Sequence, residues 1–166
     1  MTPAQIIFIA GLCLAIVGAV VLMVVRFALA IQIDWQPLGS TRAKYVAPPG
    51  FDPELLESAL IQARLALARK TDWPGQTIDR VTADVRVLVN PEVRWVDGWG
   101  RRIAGMADVE TGSVEVGRDL SALCHELGHV CLWRIDGVRD DEHGARWQAR
   151  GVERAVSSYL DGLSGR

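Results

Sequence analysis

Charge is scarce at the start of this chain, and neither sign dominates the remainder. The 166 residues have a net charge of −2, and Arg26 is the sole charged side chain before Asp34. A chain without a basic excess is not built to bind nucleic acid by charge, so no nucleic-acid partner is expected. Charged residues still make up 23% and hydrophobic residues 49% of the sequence, which excludes a disordered or collagen-like chain.

Cysteine is also rare, with three residues in the whole sequence. Cys13 lies in an apolar run, whereas Cys124 and Cys131 lie seven positions apart on a predicted helix. Seven helical residues rise about 10 Å, which is too far for a disulfide. No disulfide framework is therefore expected, and Cys124 is predicted to be a small apolar core residue rather than a metal ligand.

The shortage of charge coincides with an apolar run over residues 6–25. As a helix these residues would span about 30 Å, the thickness of a bilayer core. The sequence therefore predicts a transmembrane anchor in residues 1–33 that contacts the lipid bilayer through residues 6–25. A cleaved signal peptide is the alternative, and the lack of a basic residue before the run argues against it.

Two further features concern the sidedness and self-association of this span. Three basic residues follow it and none precedes it: Arg26, Arg42 and Lys44. The positive-inside rule therefore favours a cytoplasmic soluble domain, with the opposite side left open. Gly11, Ala15 and Ala19 form a stripe of small residues, so a homo-oligomer through the membrane helix is a hypothesis.

Proline and glycine are concentrated just after the span. Residues 34–50 end in Pro-Pro-Gly and are predicted to be a linker. The soluble domain is then predicted over residues 51–166. Its first helix should begin with Asp52 as the N-cap and end near Lys70.

The remainder of the domain predicts a small sheet followed by two helices. Residues 81–89 alternate as a strand, and residues 102–110 and 113–117 form a hairpin. The strand 113–117 is also the candidate edge strand for pairing with an extended peptide. Helices are predicted over residues 119–135 and 144–160. The order is helix, short antiparallel sheet, then two helices, which defines an α+β domain.

The chemistry is concentrated in the segment His125-Glu126-Leu127-Gly128-His129, an H-E-x-x-H motif. Residues four apart on a helix share a face, so His125 and His129 can bind one metal ion. Zinc is the cofactor that this pattern indicates, with Glu126 as general base toward a metal-activated water. Gly128 costs about 1 kcal/mol of helix propensity relative to alanine, which a close approach of a helix or strand would explain.

A catalytic zinc ion needs a third protein ligand. His143 is the one remaining histidine and is the leading candidate. Glu153, on the last predicted helix, is the main alternative as a carboxylate ligand. Asp141 and Glu142 lie nearer in sequence and are expected to be solvated loop acids.

The pair of motifs His125-Glu126-x-x-His129 and His143-Gly144-Ala145-Arg146-Trp147 resembles the SprT-like zinc peptidases, a group that includes Spartan. The resemblance covers roughly residues 113–147 and implies a zincin-like fold. It also implies zinc bound by His125, His129 and His143, Glu126 as general base, and Trp147 as a packing aromatic that fixes the loop. The family's DNA-linked role is not expected, because the chain has no basic stripe and no C-terminal zinc-ribbon cysteines.

Three functional hypotheses follow. The leading one is a membrane-anchored zinc metallopeptidase that hydrolyses peptide bonds in a protein or peptide substrate. The second keeps the site and changes the substrate to the peptide crosslinks of peptidoglycan, in an envelope or virion protein. The third is a catalytically silent, membrane-tethered structural or assembly protein with a zinc site.

Overall fold

The computed structural model describes residues 34–92, 95–96, 102–139 and 143–164. Within those residues, no helix combines the length and the apolar composition that crossing a bilayer requires. The predicted span over residues 6–25, with its stripe of small residues, lies outside them. The described residues belong almost entirely to one compact unit, Trp35–Arg166.

The described residues confirm the predicted α+β class and form five helices and seven strands. The helices are α1 (Pro53–Lys70), α2 (Gly75–Val81), α3 (Leu123–Asp136), α4 (Ala145–Arg150) and α5 (Val152–Ser164). The strands are β1 (Gln36–Pro37), β2 (Lys44–Val46), β3 (Arg86–Val89), β4 (Trp95–Val96), β5 (Arg102–Ile103), β6 (Gly105–Asp108) and β7 (Ser113–Val116).

Five strands form one sheet in the order β1-β2-β3-β7-β6, and β4 pairs with β5 separately. β6 and β7 form the predicted antiparallel hairpin, in which Asp108 pairs with Ser113. The strand predicted over residues 102–110 is divided, because β5 pairs with β4 and only β6 pairs with β7. β3, however, pairs in parallel with both β2 and β7. The prediction of a short antiparallel sheet is therefore wrong, and the sheet is mixed. Parallel pairing joins strands that are distant in sequence and leaves no turn signal between them.

The segment 34–50 belongs to this sheet and is not a linker. It supplies β1 and β2, and Leu38 and Ala43 between them are buried in the core. Glu57 on α1 holds the β1–β2 turn by accepting hydrogen bonds from the backbone N–H and the hydroxyl of Ser40, both at 2.8 Å. The proline and glycine content of the segment therefore reflects tight turns within the domain.

α1 has the predicted start and end. Asp52 is its N-cap and accepts a hydrogen bond from the Glu54 N–H at 2.9 Å, and Lys70 is its last residue. It packs against α2, α3 and α5. Six of its side chains are buried: Leu56, Ala59, Leu60, Ala63, Ala66 and Leu67.

The strand predicted from Val81 begins later, at Arg86, because Val81 ends α2. Arg134 of α3 donates a hydrogen bond to the Val81 carbonyl at 2.6 Å, and Arg64 of α1 donates one to the Thr82 carbonyl at 2.6 Å. Cationic groups are favourable at the C-terminal end of a helix. These caps come from distant helices, so local alternation of apolar residues could not reveal them.

The helix predicted over residues 144–160 is two helices, α4 and α5, which meet at Gly151. Gly151 has φ +74, a left-handed conformation that glycine adopts without steric cost. A Cβ atom there would lie 2.8 Å from the carbonyl oxygen of Lys70. The corner therefore packs closely against the end of α1.

α3 lies at the centre of the domain and contacts α1, α2, α5, β6 and β7. Six of its apolar side chains are buried in the core: Leu123, Cys124, Leu127, Val130, Cys131 and Leu132. His125 and His129 are partly buried. The helix that carries the motif is thus fixed by the core, while its two histidines face a less enclosed region.

Candidate metal centre

The motif helix is anchored where the chain enters it and where it leaves. Leu120, just before α3, is buried at φ +57, and its carbonyl accepts a hydrogen bond from the Tyr159 hydroxyl at 2.8 Å. A leucine in the left-handed region is uncommon and persists when its surroundings impose it. At the other end Gly137, at φ +68, closes the helix with its N–H bonded to the Trp133 carbonyl at 2.9 Å.

The structure brings the three predicted metal ligands together. The Nε2 atoms of His125 and His129 are 3.3 Å apart, those of His125 and His143 are 3.0 Å apart, and those of His129 and His143 are 3.2 Å apart. A ring nitrogen of neutral imidazole is either a donor or an acceptor. At least two of the three therefore share a role, so hydrogen bonds cannot account for all three contacts. One cation that accepts a lone pair from each of the three nitrogens would account for all three contacts.

The size of this triangle fits zinc. Zn–N bonds of about 2.0–2.1 Å in tetrahedral geometry place ligand nitrogens about 3.3 Å apart. Burial, the largest cause, and the neighbouring His143 lower the pKa of His125 to about 4, so its imidazole is neutral at pH 7 and keeps a lone pair. The group could hold a metal ion, and imidazole suits copper, iron and nickel as well as zinc.

His143 reaches the site from the loop that follows α3. It has φ +55, a conformation in which histidine is enriched relative to most side chains, and Gly144 is the N-cap of α4. Arg150, at the end of α4, donates two hydrogen bonds to Asp136 of α3, at 2.6 and 2.8 Å. A further ion pair at 2.6 Å joins Arg150 to Asp72. The helix that follows His143 is therefore held against the motif helix.

The indole of Trp147 forms the base of the three-histidine group. Its ring centroid lies 5.0, 4.6 and 4.5 Å from the centroids of His125, His129 and His143, and its side chain is fully buried. The imidazole centroids are themselves 4.6–5.1 Å apart, so the four rings pack as a nearly regular tetrahedron. The indole therefore closes one side of the three-histidine group.

Gly128 provides the space for this indole. A Cβ atom at Gly128 would lie 3.1 and 3.2 Å from Cη2 and Cζ3 of Trp147 and 2.5 Å from Cγ1 of Val152. The close approach that explains the glycine therefore comes from α4 and α5 and not from a strand. Glycine at position 128 lowers the helix propensity of α3, but it leaves the space that lets Trp147 pack against both histidines of the motif.

Glu153, the alternative third ligand, is near enough to His125 to raise the pKa of that imidazole, but its hydrogen bond is to Trp147. Its Oε2 accepts a hydrogen bond from Trp147 Nε1 at 3.2 Å. The structure thus places His143, rather than Glu153, with the motif histidines. Asp141 and Glu142 lie outside the described residues.

Glu126, the predicted general base, is buried, with 4% of its surface exposed. Burial raises the pKa of its carboxyl to about 8. A nearby opposite charge favours the ionised form, so a cation at the three histidines would lower that pKa. Glu126 Oε1 lies against Gly105 of β6, where a Cβ atom would be 2.9 Å away. A glycine within a strand indicates that another group approaches the backbone closely. The sequence alone does not show that this group is Glu126.

β6, and not β7, is the sheet edge beside the site. β7 pairs with β3 on one side and with β6 on the other. The prediction that residues 113–117 form a free edge for an extended peptide is therefore wrong. Within the described part of the chain, β6 pairs with β7 alone, and its first residue contacts Glu126.

Cys124, next to His125 in sequence, belongs to the core. Its Sγ lies 3.8 Å from the carbonyl oxygen of Ala63, and both Cys124 and Cys131 are free and buried. Burial raises the pKa of each thiol to about 12. The predicted apolar role of Cys124 is confirmed.

Comparison with protein-family models, with curated proteins and with solved structures finds no match for this chain. The motif and the geometry of its side chains therefore carry the functional assignment.

Proposed function

We propose that this chain is a zinc-dependent peptidase in which Glu126 is the general base. The observation that carries the proposal is the convergence of three histidine Nε2 atoms, none more than 3.3 Å from another, with buried Glu126 beside His125 in the same helix. Two histidines four apart with a glutamate after the first are the helical pattern of zinc peptidases. The resemblance to the SprT-like peptidases supports the same assignment and a zincin-like domain.

His125, His129 and His143 would hold the ion, and Trp147 packs beneath them. When bound, the ion would act as a Lewis acid and would lower the pKa of a water molecule. Glu126 accepts a proton from the water that attacks the substrate carbonyl and delivers that proton to the leaving amine. The burial of Glu126 favours this transfer, because its carboxylate is weakly hydrated and ready to accept a proton.

The position of β6 supports an extended peptide as the substrate. A strand edge can pair with a peptide through main-chain hydrogen bonds. Because Gly105 begins β6 and contacts Glu126, a peptide paired along this edge would pass the general base. A protein or peptide with an unfolded segment is therefore the proposed substrate class.

The uncharged run over residues 6–25 supports a single-pass membrane anchor ahead of this domain. We expect the full-length chain to stay in the membrane fraction after alkaline carbonate extraction, whereas a chain without residues 1–33 should be released. Protease added to spheroplasts then reports the side of the membrane, and digestion of the domain would favour the peptidoglycan substrate over a cytoplasmic one.

The proposed mechanism is tested by Glu126→Gln in the full-length chain, with labelled unfolded casein as the substrate. The glutamine keeps the shape of the side chain and cannot accept the proton, so we expect normal zinc content and hydrolysis reduced by about 10²–10⁴-fold. Glu54→Gln, at an exposed position on α1, is the matched control. Full hydrolysis by zinc-loaded Glu126→Gln would contradict the mechanism, and tight zinc binding with no turnover by the unchanged chain would favour the structural hypothesis.

A further inference from the structure

Trp147 is held at both ends of its ring plane. The benzene end, at Cζ3 and Cη2, abuts Gly128 of α3. The pyrrole end donates the Nε1 hydrogen bond to Oε2 of Glu153 at 3.2 Å. We infer that Glu153 is a positioning residue of the metal centre, which fixes the orientation of Trp147 and, through it, the three ligand imidazoles. The inference rests on the metal centre of the proposed function and is independent of peptidase activity.

The corner at Gly151 makes this hydrogen bond possible. Trp147 lies in α4 and Glu153 lies in the first turn of α5, six residues later. The left-handed backbone of Gly151, at φ +74, turns the chain between them, and its N–H bonds to the Gln148 carbonyl at 3.0 Å. An uninterrupted helix would separate residues six apart on different faces. The corner therefore returns the carboxylate of Glu153 to the indole.

Because Trp147 packs against all three imidazoles, the hydrogen bond that orients the indole also affects the positions of those rings. The indole centroid is within 5.0 Å of all three imidazole centroids, and the ring is fully buried. Close-packed side chains transmit displacement to their neighbours, so a turn of the indole about its Cβ–Cγ bond would move at least one ligand ring. A hydrogen bond to a carboxylate is stronger than one between neutral groups, and Glu153 thereby selects one orientation.

Two roles for Glu153 predict different patterns among variants. As a hydrogen-bond acceptor, Glu153 should be replaceable by glutamine, which keeps a side-chain oxygen, and Trp147→Phe should reproduce the loss seen in Glu153→Ala. If Glu153 were a direct metal ligand, Trp147→Phe would leave zinc affinity unchanged. Glu153→Gln would then bind zinc as weakly as Glu153→Ala. The double variant Trp147→Phe/Glu153→Ala should bind zinc no more weakly than Trp147→Phe alone, because the hydrogen bond that Glu153→Ala removes is already absent from Trp147→Phe.

The test measures zinc affinity of the full-length chain in mild detergent, by competition with a chromophoric chelator. Visible absorption of the Co²⁺-loaded chain reports ligand geometry. We expect Glu153→Ala and Trp147→Phe each to weaken zinc binding by about 10–100-fold and to change the Co²⁺ spectrum, while Glu153→Gln recovers most of the affinity. Asp161→Ala removes an exposed carboxylate from the same helix and should change neither quantity.

The outcomes separate this inference from the proposed function. An unchanged chain that binds no zinc overturns both. Zinc binding by Glu153→Ala that is as tight as in Asp161→Ala, with the same Co²⁺ spectrum, overturns the positioning role and leaves the metal centre intact. If Glu153→Ala does not fold, two other results overturn the positioning role: a zinc affinity of Trp147→Phe equal to that of the unchanged chain, or a zinc affinity of Glu153→Gln as low as that of Trp147→Phe.

Discussion

Gly105 and Glu126 are in contact across the junction of sheet and motif helix. A Cβ atom at Gly105 would fall 2.9 Å from Glu126 Oε1, and equally close to the Ala122 Cβ and the Glu115 carbonyl oxygen. A distance below 3.0 Å leaves no room for a methyl group unless one of these neighbours moves. The absence of a side chain at Gly105 therefore lets the edge strand approach the carboxylate that we propose as the general base.

The first prediction concerns Gly105→Ala. The added methyl group should displace the Glu126 carboxylate, and a displacement of about 1 Å can cost roughly 100-fold in rate. Zinc affinity should stay close to that of the unchanged chain, because none of the three histidines lies on β6. Rates of casein hydrolysis and chelator competition measure the two effects separately.

Gly117→Ala is the control for that variant, since a Cβ atom at Gly117 would meet its nearest neighbour, Asp119 Oδ1, at an ordinary 3.4 Å. Its activity and thermal stability should be nearly unchanged. Gly105→Ala that is fully active with the same zinc content would show that the contact does not orient Glu126.

The second prediction concerns Gly128→Ala. Alanine gains about 1 kcal/mol of helix propensity over glycine, but overpacking a filled core costs about 1–3 kcal/mol. A Cβ atom at Gly128 would lie 2.5 Å from Val152 Cγ1 and 3.1 Å from the Trp147 ring. Overpacking should therefore outweigh the gain in helix propensity at this position. We expect a lower unfolding temperature and weaker zinc binding, measured by thermal denaturation and chelator competition.

Gly162→Ala provides the matched comparison in α5, because a Cβ atom at Gly162 would meet only Gln62 Oε1, at 3.9 Å. Propensity should prevail there and stabilise the domain by up to about 1 kcal/mol. If Gly128→Ala proved as stable as Gly162→Ala and bound zinc normally, the placement of Trp147 would not require a glycine at position 128.

The third prediction concerns thiol reactivity. Burial disfavours the charged thiolate, so the pKa values of Cys124 and Cys131 are raised to about 12. At pH 8, a thiol with that pKa is ionised to roughly one part in 10⁴. In a Cys13→Ser background, the folded chain should therefore resist Ellman's reagent, and two thiols should react after unfolding in guanidinium. Rapid reaction of both thiols in the folded chain would contradict their placement in the core.

Local signals in the sequence predicted the elements that are fixed locally. The N-cap at Asp52 set the start of α1, and the turn signal at Thr111-Gly112 set the β6–β7 hairpin. The parallel pairing of β3 with β2 and β7 was missed, because it joins strands far apart in sequence. The corner at Gly151 was missed because an isolated glycine within an apolar helical pattern does not by itself end a helix.

Some features of the candidate site could likewise be predicted from local sequence, and others could not. Helical spacing placed His125 and His129 on one face, and the need for a third ligand singled out His143. The contact of Gly105 with Glu126 and the hydrogen bond of Glu153 to Trp147 depend on how separate elements meet in three dimensions. Neither contact leaves a spacing pattern in the sequence, so both required the structure.

The most direct test of the account is the zinc content of the full-length chain beside His143→Ala. Three converging imidazoles predict about one zinc ion per chain in the unchanged protein. The variant should lose most of its zinc while keeping its helical circular dichroism, because His143 lies in a partly exposed loop. One zinc ion in both proteins would contradict the three-histidine centre, and no zinc in the unchanged chain under metal-replete conditions would contradict a zinc site altogether.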